Sequence, residues 1–176
     1  VASSINEAGV RIAQEARGLT GQGIWLAGTV GPMGRSLEPM GPISRAQARR
    51  VFADQIRSLA EAGVDLLVMD TFADLRELTD AVRAAREVAD LPIMAHLTFT
   101  EDGTTPAGDT PVDAVRTLEA LDVQVIGTNC SVGSEPMLRV VEEMAGSARL
   151  PISAMPNAGF PAYQDGRFIY RSSAEH

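Results

Sequence analysis

The stretch VIGTNCSVGSEPM, at residues 125–137, contains the only cysteine of the 176-residue chain, Cys130. The thiol follows an apolar run and is flanked by Asn129 and Ser131. A free cysteine is often a small buried hydrophobe, but a core thiol would more naturally lie inside the apolar run than beyond it. The alternatives are a nucleophile or a soft metal ligand, and both require the thiolate. One ligand does not make a zinc site, because zinc takes three protein ligands even when its site is open.

Two further ionisable side chains lie in or at the end of apolar runs. Asp70 ends the run VDLLVMD, where a carboxylate serves either as a cap or loop acceptor or as the receptor for a substrate ammonium group. His96 lies inside PIMAHLTF and is expected to be a core or barrel-interior histidine with satisfied hydrogen bonds. As an alternative, Asp70 and His96 form the acid-base pair of a lyase or isomerase. Asp102 and Asp109 are expected to be turn and loop residues.

The composition limits the classes of partner. A formal net charge of −8 without a cluster of basic residues argues against binding to a nucleic-acid backbone. One cysteine cannot form an internal disulfide, which suits the cytoplasm. The sequence contains no run of about 18 apolar residues, so no membrane span is predicted. A hydrophobic content of 45% suffices for one core, so residues 1–176 are expected to form part of a single domain.

Five apolar runs predict strands that are covered on both faces. They lie at residues 24–30, 64–70, 92–99, 123–129 and 150–155. Helical periodicity predicts helices at residues 5–16, 45–62 and 75–89, a helix that opens with Thr110-Pro111, and a helix after Ser134.

The polar residues at the helix starts predict specific caps. Ser44 is expected to cap the helix at 45–62, which ends at Gly63, and Asp74 with Glu77 forms a capping-box pattern for the next helix. The predicted buried faces include Val51 in the helix at 45–62 and Val112 in the helix that opens with Thr110-Pro111. In the helix after Ser134 they include Met137, Leu138, Val141 and Met144.

Alternating helices and strands at a period of roughly 30 residues indicate a parallel α/β architecture. Five units are either a small doubly wound sheet or five-eighths of a (β/α)8 barrel, which usually needs about 250 residues. The chain lacks GxGxxG and GxxxxGK[ST], the usual phosphate-binding signatures. Functional residues in such folds cluster at the carboxyl ends of the strands, which is where Cys130 lies.

Several segments in this order resemble the homocysteine S-methyltransferase family: GTVGPMG, VDLLVMDTFADLREL, PIMAHLTFTEDGTTPAGDT, VIGTNCSVGSEPML and MPNAGFP. The tail YQDGRFIYRSSAEH resembles the subgroup fused to a methylenetetrahydrofolate reductase domain. The resemblance implies a (β/α)8 barrel that transfers a methyl group to the thiolate of homocysteine and forms methionine, in cytoplasmic one-carbon metabolism. The methyl donor stays open among methyltetrahydrofolate, a corrinoid, S-methylmethionine, S-adenosylmethionine and betaine.

The resemblance also implies roles for residues. Cys130 would be the first of three zinc thiolates, and the other two, an adjacent cysteine pair in the family, are not in this sequence. Asp70 stands where the family commonly has Glu, a residue that binds the amino group of the substrate. Thr71, Asn129 and Ser131 would line the same pocket.

Residues 1–176 are therefore expected to be the central five of eight βα units. In isolation such a chain is expected to be inactive and poorly stable, because sheet edges stay open and zinc lacks ligands. The alternative is a non-catalytic half-barrel that assembles with a partner chain.

Overall fold

The computed structural model describes residues 2–159 and 161–170. Helices and strands alternate as predicted, and a short hairpin follows them. The elements are α1 (Ala2–Thr20), β1 (Ala27–Val30), α2 (Arg45–Ala62), β2 (Leu66–Phe72), α3 (Leu75–Val88), β3 (Ile93–Leu97), α4 (Pro111–Glu119), β4 (Val125–Asn129), α5 (Ser134–Ala145), β5 (Ile152–Met155), β6 (Ala162–Gln164) and β7 (Arg167–Ile169). Within the described ranges, no helix has both the length and the apolar content to cross a membrane.

The five strands predicted from the apolar runs form one parallel sheet in the order β1-β2-β3-β4-β5. This sequential order is typical of a segment of a (β/α)8 barrel, whereas the strand order of a doubly wound sheet reverses at a switch point. The α/β prediction is thus confirmed, and the sheet is consistent with part of a barrel.

All five strands begin later than the apolar runs that predicted them. Residues such as Val64 and Val123 precede the strands but are buried in the hydrophobic core. They belong to the turns between helix and strand, whose apolar side chains close one end of the core. Apolar content therefore marked burial correctly but extended the strands by a few residues.

Side chains alternate between the two faces of the sheet. On the helix side, Leu67, Met69 and Ile126 are buried against α2, α3 and their neighbours. The opposite side, called here the inner face, is less covered. Its residues include Thr29, Val68, Met94, Val125 and Met155, which are half-buried or exposed. The prediction of strands covered on both faces is therefore met on one face only by the described residues.

The predicted helix caps are mostly present. Ser44 and Gln47 form a full capping box at α2, which ends at Gly63 in the left-handed conformation. The hydroxyl of Thr110 accepts from the backbone N–H of Asp113, and Pro111 opens α4. These caps satisfy backbone groups that the first or last helical turn leaves unpaired.

Three predicted core positions are wrong. Val51, Val112 and Leu138 are exposed. In α5 the buried residues include Val140, whereas Leu138 and Val141 were predicted to lie on the buried face. Each of these helices covers the sheet with a narrow stripe, so apolar residues on the flank of the stripe reach solvent.

The capping box predicted at α3 is only half formed. Asp74 caps the helix by accepting from the backbone N–H of Arg76 at 2.8 Å. Glu77 instead accepts from the backbone N–H of Met33 at 2.7 Å and so ties the loop after β1 to α3. Burial raises the pKa of Glu77, although the hydrogen bond from the Met33 N–H opposes that shift. Glu77 therefore serves a tertiary contact across 44 residues.

Gly127, in β4, lies where a side chain would clash with its neighbours. A Cβ at this position would lie 2.3 Å from the carbonyl oxygen of Ser153 and 2.7 Å from the ring of His96. Gly127→Ala should therefore lower the free energy of unfolding by about 3 kcal/mol, measured by urea denaturation. Gly9→Ala in α1 is the matched control, since its added Cβ would meet no described atom within 4 Å apart from its chain neighbours and the backbone of its own helix. An equal effect of both substitutions would contradict the tight packing at Gly127.

Candidate functional site

The candidate site lies at the carboxyl ends of β2, β3 and β4, which are neighbours in the sheet. Asp70 and Thr71 belong to the last residues of β2, Asn129 ends β4, and Cys130 follows it. Parallel strands present their carboxyl ends at the same edge, so residues 59 positions apart in sequence meet there.

Asp70, Thr71 and Asn129 form a closed hydrogen-bond network. The Asn129 side-chain amide donates to Asp70 Oδ1 at 3.0 Å and to Thr71 Oγ1 at 2.7 Å. The Thr71 hydroxyl donates to Asp70 Oδ2 at 3.1 Å. The Thr71 backbone N–H in turn donates to Asn129 Oδ1 at 3.1 Å. Both oxygens of the carboxylate are thus held in place while part of the Asp70 side chain stays exposed.

The identity of Asn129 matters to this network. Its Oδ1 is used by a backbone N–H, which leaves its Nδ2 facing the Asp70 carboxylate. A carboxylate can only accept, so its neighbour must donate. An aspartate at 129 would place two carboxylates in contact, whereas the amide satisfies both Asp70 and Thr71.

Cys130 lies beside the network and is half-buried, beyond the strand as its sequence position predicted. Its Sγ is 3.4 Å from Asn129 Nδ2 and 3.7 Å from Thr71 Oγ1. The two amide hydrogens and one hydroxyl hydrogen already have nearer oxygen acceptors, so the sulfur receives only shared, weak hydrogen bonds. The Cys130 backbone N–H donates to the Met155 carbonyl at 3.0 Å, which anchors the residue to β5.

Backbone conformation at the site is unusual. Thr71, Cys130 and Ser131 have φ angles of 61°, 58° and 60°, in the left-handed region that residues with a Cβ disfavour. Thr71 also lies where the pairing of β2 with β3 shifts register, between Met69 and Phe72. Such strain costs on the order of 1–3 kcal/mol per residue and clusters at functional sites. In this conformation the Thr71 hydroxyl lies 3.7 Å from Cys130 Sγ.

Ser131 is brought near the site but not into the network. Its hydroxyl lies 2.6 Å from the Thr98 hydroxyl, just beyond β3. Thr98 was not predicted as a site residue, and its position after a strand end is the signal that could have identified it. Asp109 is a loop residue as predicted, and its carboxylate accepts from the Leu75 N–H at 3.0 Å and the Thr105 hydroxyl at 2.9 Å. Asp102 pairs with the Thr100 hydroxyl in an exposed turn.

His96 projects from the inner face of β3 and is 0% exposed. Its burial confirms the prediction of an interior histidine, but the prediction of satisfied hydrogen bonds is wrong. Neither ring nitrogen has a hydrogen-bond partner among the described residues. Nδ1 lies 3.9 Å from Asp70 Oδ1, which is beyond hydrogen-bond distance. Desolvation lowers the pKa of His96, and the nearby Asp70 carboxylate opposes that shift only in part.

Within residues 2–159 and 161–170, no group of three or more His, Cys, Asp or Glu side chains could hold a metal ion. Cys130 therefore offers one ligand, and the described part of the chain does not complete a metal site around it.

The comparison of the whole sequence with protein families decides the assignment. The model of a family described as homocysteine S-methyltransferase matches residues 1–176. The chain belongs to this family. The match confirms the family that the sequence motifs resemble.

Family relatives include methionine synthases of two mycobacteria. The chain is 31% identical over 142 residues to that of Mycobacterium tuberculosis and 30% identical over 142 residues to that of Mycobacterium leprae. Each match covers 78% of this chain but only 12% of the relative, so the chain spans a small part of these proteins.

Two solved structures share the fold. The apo form of the homocysteine methyltransferase MmuM from Escherichia coli has a TM-score of 0.78 and 21% identity, and the match covers 89% of this chain and 61% of the MmuM chain. The metallated form has a TM-score of 0.77 and 21% identity, and the match covers 89% of this chain and 59% of the MmuM chain. At this identity the likeness shows the fold alone.

Proposed function

We propose that this chain is part of a domain that transfers a methyl group to the thiolate of homocysteine and forms methionine, with zinc as its metal. The observation that carries the proposal is the juxtaposition of a metal-compatible sulfur, Cys130, with the carboxylate of Asp70. The network of Asn129 and Thr71 holds that carboxylate at the same edge of the sheet. A substrate with a thiol at one end and an ammonium group at the other fits this pair.

The donor chemistry at Cys130 suits zinc. Sulfur is a soft ligand, and the weak hydrogen bonds to Sγ leave its lone pairs available. Zinc, when bound, would keep the substrate thiol deprotonated at neutral pH. Cys130 would be one ligand, and two thiolates would come from residues other than those of this chain, which has a single cysteine. Metallated MmuM, a family-like structure, supports a metal in this fold.

Asp70 would receive the ammonium group of homocysteine. Asn129 and Thr71 use one position on each carboxylate oxygen and leave the exposed side of the carboxylate free to accept from the substrate. Since Asp is one methylene shorter than the Glu common in the family, the substrate would lie closer to β2. Thr71, Asn129 and Ser131 would line the pocket, with Ser131 held by Thr98.

The complete domain would be a closed (β/α)8 barrel. In the described part of the chain, β1 and β5 are the edge strands of the sheet, and the inner face is incompletely covered. Additional strands would pair with these edges and bury that face. Residues 1–176 alone would then be inactive. The methyl donor stays open, and the tail, part of which falls on residues 171–176 outside the described residues, suggests a fused methylenetetrahydrofolate reductase domain.

Substitution of Asp70 tests the proposal. Asp70→Asn in the zinc-loaded, full-length protein should weaken homocysteine binding about 30-fold, because a charge-assisted hydrogen bond is worth about 2 kcal/mol. Titration calorimetry would measure the dissociation constant. The affinity for 4-mercaptobutanoate, which is homocysteine without its amino group, should not change.

Asp70→Glu is the matched control, because it keeps the charge and restores the acid common in the family. Homocysteine affinity should stay within a few-fold of the unsubstituted protein. Undiminished homocysteine binding by Asp70→Asn would refute the role of Asp70, and absence of any homocysteine binding by the unsubstituted protein would refute the proposed function.

A further inference from the structure

His96 is a buried polar residue of the inner face that the proposed function leaves unexplained. Its ring is 0% exposed, and both nitrogens lack partners among the described residues. A neutral imidazole carries one N–H donor and one acceptor, and leaving such groups unpaired in a core is costly. The ring therefore occupies a position that packing alone would fill better with an apolar side chain.

The position of the ring is defined by its neighbours in the sheet. His96 pairs in register with Gly127 on β4, and a Cβ at Gly127 would lie 2.7 Å from the ring Cδ2 and 3.0 Å from Nε2. The absence of a side chain at Gly127 thus creates the space in which the ring lies. With the Cδ2 and Nε2 edge against β4, Nδ1 is directed toward Asp70 on β2.

Asp70 can accept a further hydrogen bond from this direction. Its Oδ1 accepts from Asn129 at 3.0 Å, and a carboxylate oxygen has room for two donors. The Nδ1 to Oδ1 distance of 3.9 Å is about 1 Å longer than a hydrogen bond. Because Asn129 and Thr71 hold the carboxylate, a movement of the His96 ring toward Oδ1 by about 1 Å would close this gap.

We infer that His96 is a positioning residue for Asp70. The Nδ1–H of His96 donates to Asp70 Oδ1 when the ammonium group of the substrate is bound. The inference rests on the proposed function, since it assigns Asp70 to the amino group. The hydrogen bond would satisfy the buried ring and hold the carboxylate toward the ligand. His96 touches Asp70 and not the reacting sulfur, so it acts through the carboxylate.

The charge of the ring agrees with this role. Burial lowers the pKa of His96, which favours a neutral imidazole. A neutral ring can donate from Nδ1 without cancelling the negative charge of Asp70. An imidazolium at this place would instead repel the substrate ammonium group.

Three substitutions at position 96 separate the role of Nδ1 from that of ring volume. Asn places a donor near the position of Nδ1, Gln places one near Nε2, and Leu has no donor. Calorimetry on the zinc-loaded, full-length protein would compare homocysteine with 4-mercaptobutanoate. We expect His96→Leu and His96→Gln to weaken homocysteine binding about 10-fold, and His96→Asn about 3-fold or less. The affinity for 4-mercaptobutanoate, which lacks the amino group, should stay the same in all three variants.

Equal losses for both ligands, or an unchanged homocysteine affinity in His96→Leu, would overturn the inference. Failure of homocysteine to bind the unsubstituted protein would instead overturn the proposed function. Should the variants not fold, nitrogen-15 NMR of the unsubstituted protein decides. The homocysteine complex is expected to show a neutral His96 protonated at Nδ1, and protonation at Nε2 would overturn the inference.

Discussion

Cys130→Ser is expected to reduce the zinc content of the full-length protein from about one ion per chain to near zero after dialysis against a chelator. A serine hydroxyl is not deprotonated at neutral pH and is a poor ligand for a soft site, so the metal would lose one of three protein ligands. The geometry supports this outcome, since Cys130 Sγ lies at the strand ends with only weak hydrogen bonds from Asn129 and Thr71. Mass spectrometry of the metal, with protein concentration from amino-acid analysis, would give the ratio.

Ser134→Ala is the matched control, because Ser134 is the first residue of α5, lies close to Cys130 in sequence, and is not the N-cap residue, which is Gly133. This variant should keep its zinc. Full zinc retention by Cys130→Ser would show that the metal ligands lie elsewhere and would refute the assignment of Cys130. An unsubstituted protein that is active toward homocysteine but free of zinc would refute the metal itself.

Asp80→Ala is expected to lower the free energy of unfolding by about 3 kcal/mol. Asp80 lies on α3 with a side chain that is 0% exposed. Arg45 Nε donates to it at 2.6 Å and Nη2 at 3.1 Å, and Arg49 Nε donates at 2.7 Å. The hydrogen bond to Asp80 also raises the pKa of Arg45, against the opposing effect of burial. Loss of the carboxylate leaves two cations of α2 unpaired against α3.

The expected value lies at the lower end of the range for broken buried pairs, which is about 3–5 kcal/mol. The reason is that the side chains of Arg45 and Arg49 are 43% and 35% exposed, so water can partly replace the carboxylate. Guanidinium chloride is unsuitable for the measurement because it screens ion pairs, so urea denaturation should be used.

Asp54→Ala provides the contrast on α2. Asp54 pairs with Arg57 at 3.1 Å, but its side chain is 78% exposed. Removing this surface pair should change the free energy of unfolding by about 0.5 kcal/mol or less. Similar losses for Asp80→Ala and Asp54→Ala would contradict the structural role of the buried carboxylate.

Local patterns of the sequence were sufficient for the elements of the fold. Continuous apolar runs predicted the five parallel strands, and Ser44, Gly63 and Thr110 marked helix ends correctly, because caps and periodicity act over a few residues. Motifs at the strand ends also predicted that Asp70, Asn129 and Cys130 lie on one edge of the sheet. The carboxyl ends of parallel strands must share an edge, so strand assignment alone brings these residues near one another.

Contacts across the sheet could not be predicted in the same way. The bonds between Asp70 and Asn129, the left-handed Thr71 and the use of Glu77 by Met33 depend on register and on a local bulge. The sequence patterns did not single out Asp80, which is fully buried and paired with Arg45 and Arg49 of α2.

The sequence by itself thus determined the order and type of the elements, the edge on which the candidate site lies, and the family. Tertiary structure alone decided which polar atoms meet, how Asn129 is oriented, and why His96 lies beside Gly127 with no hydrogen-bond partner among the described residues. The physical reason is one of range. Helix and strand formation depends on residues a few positions apart, whereas a hydrogen bond between strands exists only when the register of the assembled sheet sets its distance and angle.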